Sequence, residues 1–366
     1  MNMQTVERVI DLAIQVQQIP APTFDEGRRA EFIHSCFIQE NLADVEIDAL
    51  GNVLGRLPGT GSALPIIVSA HLDTVFPIET ELRVGHYPDK IAGPGIGDNS
   101  VGLAGLLGLL WGLKDRNIEL ASDLWLVANV GEEGLGDLRG MREVVERFSD
   151  LARAYVILEG MALGQVYHRG LGVNRYRINV TTAGGHSWVD YGKPSAVHEL
   201  AAIITQLLEI PVSESPRTTM NVGVISGGTT VNTIAAEAFI ELDLRSEDVV
   251  ELNQLVGSVT ETLHDFQEPG VEVHVELIGQ RPVGEISQDN PLVNLASSCL
   301  EQVGIQARLN IGSTDANIPL SLGYPAICLG LTTGNGAHTV GEYINISPLQ
   351  LGLEQLLLVV EGLDRD

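Results

Sequence analysis

Four short, almost wholly apolar runs punctuate the chain, at Pro65 to Ala70, Leu124 to Val130, Ala154 to Leu158 and Pro325 to Leu331. Such runs are too short for core helices and too continuous for strands with one wet face. They read as strands buried on both faces, which calls for helices above and below a mostly parallel sheet. The segments between them supply helices. Val6 to Gln17 carries apolar residues at helical spacing, and Thr23 with Glu26 occupies the N-cap and capping-box positions for a second helix. Val101 to Leu113 is continuously apolar but shorter than the roughly 20 residues of a membrane span, so it reads as a buried helix.

From about Gly172 the pattern changes. Arg175 to Thr181, Met220 to Ile225, Ala238 to Leu244 and Val271 to Leu277 look like half-buried strands, with helical segments at Ser195 to Leu208 and Val249 to Phe266. This β-α-β-β-α-β order is that of a ferredoxin-like unit. After Arg281-Pro282 the buried α/β character returns, with a helix near Pro291 to Val303. A chain of 366 residues is long for one core. The expectation is an α/β fold in two domains: a sheet flanked by helices over 1–171 and 280–366, interrupted by an inserted α+β domain over 172–279.

The formal net charge of −27 repels phosphate backbones and anionic lipid, which argues against nucleic-acid and membrane partners. Cys36, Cys299 and Cys328 are odd in number and far apart, without a CxxC pair. Neither a zinc knuckle nor a disulfide framework follows, and reduced thiols in a cytoplasmic protein are expected. The N-terminus has acidic residues among the apolar ones and lacks the pattern of a signal peptide.

Each apolar run ends on residues that can bind a metal. Pro65 to Ala70 leads into His71-Leu-Asp73, Leu124 to Val130 into Gly131-Glu132-Glu133, Ala154 to Leu158 into Glu159, and Pro325 to Leu331 into a glycine loop with His338. Alone, a histidine after a strand is more often a satisfied polar residue, and adjacent glutamates are usually solvated surface. Four such ends together point to one site, because ligands of open α/β sheets bind at the carboxyl ends of strands. Histidine and carboxylate donors suit Zn²⁺, Co²⁺ or Mn²⁺. Asp73, two residues after His71, is placed to orient its imidazole. Of the paired glutamates, one can hold metal while the other moves a proton. Asp98 lies in Gly97-Asp98-Asn99-Ser100, where glycines allow close backbone approach. The GxGxxG dinucleotide motif fails at Ser100, and GxSxG, GxxxxGK[ST] and HExxH are absent.

With His-Leu-Asp-Thr-Val at 71–75, Gly-Asp-Asn-Ser at 97–100, Glu132-Glu133, Glu159, Gly185-His186-Ser187 and Ala337-His338-Thr339, the chain resembles the M20 family of metallopeptidases and amidohydrolases over essentially its whole length. That family includes glutamate carboxypeptidase, aminoacylase, acetylornithine deacetylase, succinyl-diaminopimelate desuccinylase and peptidase T. The resemblance implies two divalent ions, zinc first with cobalt or manganese as alternatives. Asp98 bridges them, His71 and Glu159 complete one position, and Glu133 and His338 the other. It implies Glu132 as general base, a cis peptide after Asp98, and an inserted domain acting as lid and homodimer surface, whose His186 steadies the oxyanion in the partner subunit. Asn232 and Arg245 match lid residues that hold a substrate carboxylate, and Gly312-Ser313-Thr314-Asp315 matches a loop near the substrate. For Arg245 a surface ion pair is an equal reading.

Ser100 stands where many members have lysine, so any role of that lysine is missing. Glu at 159 matches deacylases and carboxypeptidases, whereas aminopeptidases tend to have Asp. The expected activity is therefore hydrolysis of an amide or peptide bond next to a free carboxylate, on small amides or short peptides. An aminopeptidase or tripeptidase of the peptidase T kind is the alternative, and a catalytically silent binding protein the remote one.

Overall fold

The structure is a computed structural model describing residues 1–61 and 63–365. It contains two compact units, Met1–Gly170 with Gly284–Asp366, and Leu171–Val283.

The first unit is organised by a nine-stranded sheet among the described residues. Its spatial order is Ala43–Ile47, Val53–Leu57, Ser122–Asn129, Ala63–His71, Ala154–Glu159, Ala326–Gly330, Gln165–Gly170 and Gly284–Glu285, with Arg308–Gly312 also paired to Gln165–Gly170. The four central neighbours, from Ser122–Asn129 to Ala326–Gly330, run parallel. They are the four apolar runs of the sequence. Their register aligns His71 with Asn129 and Gly330 with Glu159, so their carboxyl ends finish side by side.

Helix Val101–Arg116 is buried continuously from Val101 to Leu113. By length and composition the helical run Ile96–Arg116 could cross a membrane, but it lies in the core. It packs on Ala63–His71 and on helices Met3–Gln17 and Leu349–Arg365. Gly108 explains the close approach: a Cβ there would stand 2.7 Å from Val9 and 2.9 Å from Leu353. That packing offsets the roughly 1 kcal/mol that glycine costs inside a helix.

One local expectation is corrected. The second helix runs Gly27–Gln39 with Glu26 at its N-cap, and no side chain caps it. Thr23 and Glu26 form no capping box because both are drawn toward the strand ends, as described below.

The second unit contains strands Gly172–Thr182, Thr218–Gly227, Glu237–Ser246 and Val271–Arg281 and helices Ala196–Leu208 and Val249–His264. Its sheet order is Thr218–Gly227, Glu237–Ser246, Gly172–Thr182, Val271–Arg281, antiparallel throughout. That is the β-α-β-β-α-β arrangement. Leu200, Ile203, Leu207, Leu252, Leu255 and Val259 from the helices share a core with Ile178, Val180, Ile240, Leu242 and Leu244. Cross-strand ion pairs link Arg177 to Glu241 at 2.5 Å and Arg175 to Asp243 at 3.0 Å. Outside this sheet, Gly185–His186 pairs with Thr233–Ile234.

Candidate metal centre

Strand ends and turns bring six side chains of the first unit together. His71 is the last residue of its strand and is buried. Gly131, at φ +68°, turns the chain after Ser122–Asn129 and presents Glu132 and Glu133, both buried. Glu159 ends its own strand. His338, in the loop after Ala326–Gly330, has φ +64°, uncommon for a non-glycine residue. Asp98 follows Gly95, at φ +73°, and precedes a cis bond to Asn99.

Asp98 stands between the two imidazoles. Its Oδ1 lies 3.0 Å from His71 Nε2 and its Oδ2 3.1 Å from His338 Nε2. His71 Nε2 is also 3.9 Å from Glu159 Oε2, and His338 Nε2 is 3.2 Å from Glu133 Oε1. Two donor groups result, one on each oxygen of a single carboxylate. Donors at 2.0–2.2 Å from a tetrahedral Zn²⁺ stand roughly 3.3–3.6 Å apart, and the observed 3.0–3.9 Å brackets that spacing. Donor atoms of His71, Asp98 and Glu133 all lie within 4.8 Å of one another.

The electrostatics also fit cations. Burial, reinforced by Asp98, Glu132 and Asp315, pushes Glu159 well above the usual carboxylate range even though His71 pulls the other way. Burial likewise opposes charge on Asp98, yet hydrogen bonds from His338 and His71 hold it well below that range. His338 is pushed up to about 10 by its hydrogen bonds to Asp98 and Glu133. On His71, burial works against the charge, but Asp73, Asp98 and Glu159 raise its pKa well above the ordinary value. Several carboxylates gathered out of water need countercharge. The upward shifts of both histidines reflect that need, and divalent ions held by the same atoms would meet it.

The supporting residues are less obvious from sequence. Asp73, fully buried, lies 3.5 Å from His71 Nδ1 through Oδ1, but the nearer acceptor for that nitrogen is its own backbone carbonyl at 3.0 Å. Its carboxylate accepts instead from Glu132 N and Glu133 N, both at 2.9 Å, and from Thr23 Oγ1 at 2.8 Å. Glu26 accepts from Gly131 N at 3.1 Å and from Arg139 at 2.7 Å. Arg29, fully buried, donates to Leu72 O at 2.7 Å and twice to Ile19 O. The Gly312–Asp315 loop enters the neighbourhood through Asp315, whose Oδ2 accepts from Asn129 at 2.7 Å. Glu342, also fully buried, binds three backbone amides of the Asp98 loop, and burial pushes it up to about 7. Sequence reasoning passed over Arg29, Asn129 and Glu342, and read Thr23 as a helix cap rather than as a partner of Asp73. Asn129 and Glu342 carry one sequence signal, polarity beside a ligand-bearing segment, which any surface residue shares, and Arg29 carries none.

In the second unit, His186 and Asn232 come together and Arg245 stands apart. Ser187 N donates to Asn232 O at 3.1 Å beside the pairing of His186 with Thr233. His186 Nδ1 accepts from Trp188 N at 3.2 Å, which leaves Nε2 as the donor nitrogen of the ring. Arg245 Nε is paired with Asp243 at 2.6 Å near the far end of Glu237–Ser246.

The sequence matches the description "Peptidase family M20/M25/M40" over residues 67–362. It is 27% identical over 342 residues to succinyl-diaminopimelate desuccinylase of Corynebacterium glutamicum, covering 91% of this chain and 90% of that one. It is 25% identical to carboxypeptidase G2 of Pseudomonas sp. (strain RS-16), covering 81% and 73%. Its fold is similar to the solved tripeptidase from Staphylococcus aureus, with a TM-score of 0.84 at 23% identity over 99% of both chains. With the family match spanning most of its length, the chain belongs to peptidase family M20/M25/M40 and is a hydrolase of C–N bonds.

Proposed function

We propose that the protein is a two-metal amidohydrolase that cleaves an amide or peptide bond beside a free carboxylate, as an N-acyl amino acid deacylase or a carboxypeptidase. The observation that carries the reading is Asp98, one carboxylate with each oxygen facing a different imidazole. His71 and Glu159 would hold one ion together with Asp98, and His338 and Glu133 would hold the other. Zinc is the first expectation for this donor set, with cobalt or manganese compatible. When bound, the ions polarise the scissile carbonyl and acidify water.

The chain's own residues do the rest. Glu132, next to a ligand and held by its backbone bond to Asp73, takes the proton from water and returns it to the leaving amine. His186, with its proton on Nε2, is set to donate to the developing oxyanion. Arg245 grips the substrate carboxylate bidentately in exchange for Asp243, with Asn232 and the Gly312–Ser313 backbone as further partners. The Asp243 pair supplies the resting partner of that guanidinium.

The second unit acts as lid and homodimer surface in this reading. Arg245 lies eight residue steps along the strand from Glu237, where the chain leaves the sheet toward Asn232 and His186. That is roughly 26 Å at about 3.3 Å per residue, too far for one small substrate. Both sets serve one substrate when they come from two copies. Three free thiols support a reducing, cytoplasmic setting.

Glu159, and relatives that are a desuccinylase and a carboxypeptidase, favour the deacylase or carboxypeptidase side. The test compares N-succinyl, N-acetyl and N-acylglutamate-type amino acids with free di- and tripeptides, each with Zn²⁺, Co²⁺ or Mn²⁺. Hydrolysis of the N-acyl amino acids is expected. Preference for tripeptides with a free amine overturns the substrate assignment, and inactivity on the whole panel overturns the enzymatic reading.

A further inference from the structure

Glu342 lies four residues beyond His338 and is fully buried. Its Oε1 accepts from Gly97 N at 2.6 Å and Asp98 N at 2.8 Å, and its Oε2 from Gly95 N at 3.1 Å. The residue is tied in through its backbone as well. Gly93 N donates to Glu342 O at 2.8 Å, and Glu342 N donates to Thr339 O at 3.1 Å. One residue therefore joins the segment carrying Asp98 to the turn carrying His338.

The Asp98 loop needs such a clamp. Asp98 (φ −117°, ψ 87°) and Asn99 (φ −133°, ψ 38°) are not helical, so the loop amides are not held by a regular turn. Both carboxylate oxygens of Glu342 act as acceptors, which a neutral side chain cannot reproduce. A glutamine would keep one oxygen for Gly97 and Asp98 but turn its NH₂ against Gly95 N–H.

We infer that Glu342 is a positioning residue which, by clamping Gly95, Gly97 and Asp98 to the His338 turn, holds Asp98 between the two histidines and thereby sets divalent-metal affinity. The inference rests on the metal-centre reading above and adds to it a residue that touches neither metal nor substrate. Orientation of ligands by residues behind them is worth 10–100-fold in metal affinity in other proteins.

The test is calorimetric titration of the metal-free full-length protein with Co²⁺, together with the visible absorption of the Co²⁺ form, for wild type and Glu342→Gln. Asp364→Asn is the control, since Asp364 also accepts two backbone N–H bonds, from Ala121 and Ser122 at the opposite end of a central strand. Glu342→Gln is expected to weaken Co²⁺ binding by about 10–100-fold and to change the absorption spectrum. Asp364→Asn is expected to lower the thermal midpoint while leaving both readouts unchanged. Glu342→Asp, which keeps the charge but withdraws it by one methylene, is expected to bind Co²⁺ more weakly than wild type and carries the test if the glutamine variant does not fold. Wild-type affinity and spectrum in the folded Glu342 variants overturn this inference alone. Absence of Co²⁺ binding by wild type overturns the metal centre and this inference together.

Discussion

Asp73→Asn is a change of one atom whose cost can be worked from the hydrogen bonds it disturbs. Asp73 offers Oδ1 to Glu132 N and Oδ2 to Glu133 N and Thr23. An asparagine has one acceptor oxygen, so whichever way it turns, one of the two amides faces an NH₂ group. Leaving a buried N–H unsatisfied costs about 1–3 kcal/mol. The surviving bonds lose their charge assistance, roughly half their strength. Arg29, whose pKa burial lowers to about 10 while Asp73 raises it, also loses the charge that offsets its burial. The expected loss is about 2–4 kcal/mol, a large share of the ~5–15 kcal/mol that holds an ordinary domain folded. Urea unfolding of the metal-free protein followed by tryptophan fluorescence reads this in the first unit, where Trp111 and Trp125 are buried, whereas Trp188 of the second unit is 85% exposed and changes little. A loss below about 0.5 kcal/mol refutes the reasoning, because it lies within the range of an ordinary surface substitution.

Other outcomes follow from groups away from the donors. Arg29→Lys is expected to cost about 2 kcal/mol in the same unfolding assay, since one ammonium cannot reproduce the forked bonds to Ile19 O and Leu72 O. Glu40, Glu354 and Asp364 are held below their usual values: burial opposes the charge, and bonds from Lys114 and Trp111, from Arg116 and the N-terminus, and from Ala121 and Ser122 respectively outweigh it. Such groups stabilise the fold above their unfolded values of 4.5, 4.5 and 3.8 and lose that contribution as pH falls through the lower folded ones. The thermal midpoint of the metal-free protein should therefore fall with acidification below about pH 4, and Glu40→Gln should flatten the fall.

The frame of the first unit was readable because burial on both faces leaves no freedom in residue type. Leu124 to Ala128 is apolar throughout, and the polar Asn129 that interrupts the run is the last residue of the strand. The alternation in Arg175 to Thr181 likewise follows from one face packing on helices while the other carries the arginine and carboxylate ladder. What could not be read was contact across the chain. Thr23 and Glu26 have the spacing of a helix cap, and only the folded chain reveals that Thr23 is drawn to Asp73 and Glu26 to Gly131 and Arg139. Glu342 is separated by more than two hundred residues from the amides it binds. A lone glutamate after a glycine reads as surface, and nothing local distinguishes it. Arg245 shows a different limit: its residue type suits both a substrate carboxylate and Asp243, and the pair with Asp243 at 2.6 Å is the resting arrangement.

The central claim is that Glu132 moves the proton in a two-metal hydrolysis whose ions are held by other residues. The decisive measurement is kcat of Glu132→Gln against wild type on the best N-acyl amino acid, with metal content determined on the same samples. Two ions per chain in both proteins and a fall in kcat of about 10²–10⁴-fold in the variant are predicted. Undiminished turnover by a variant that retains both ions would contradict the account.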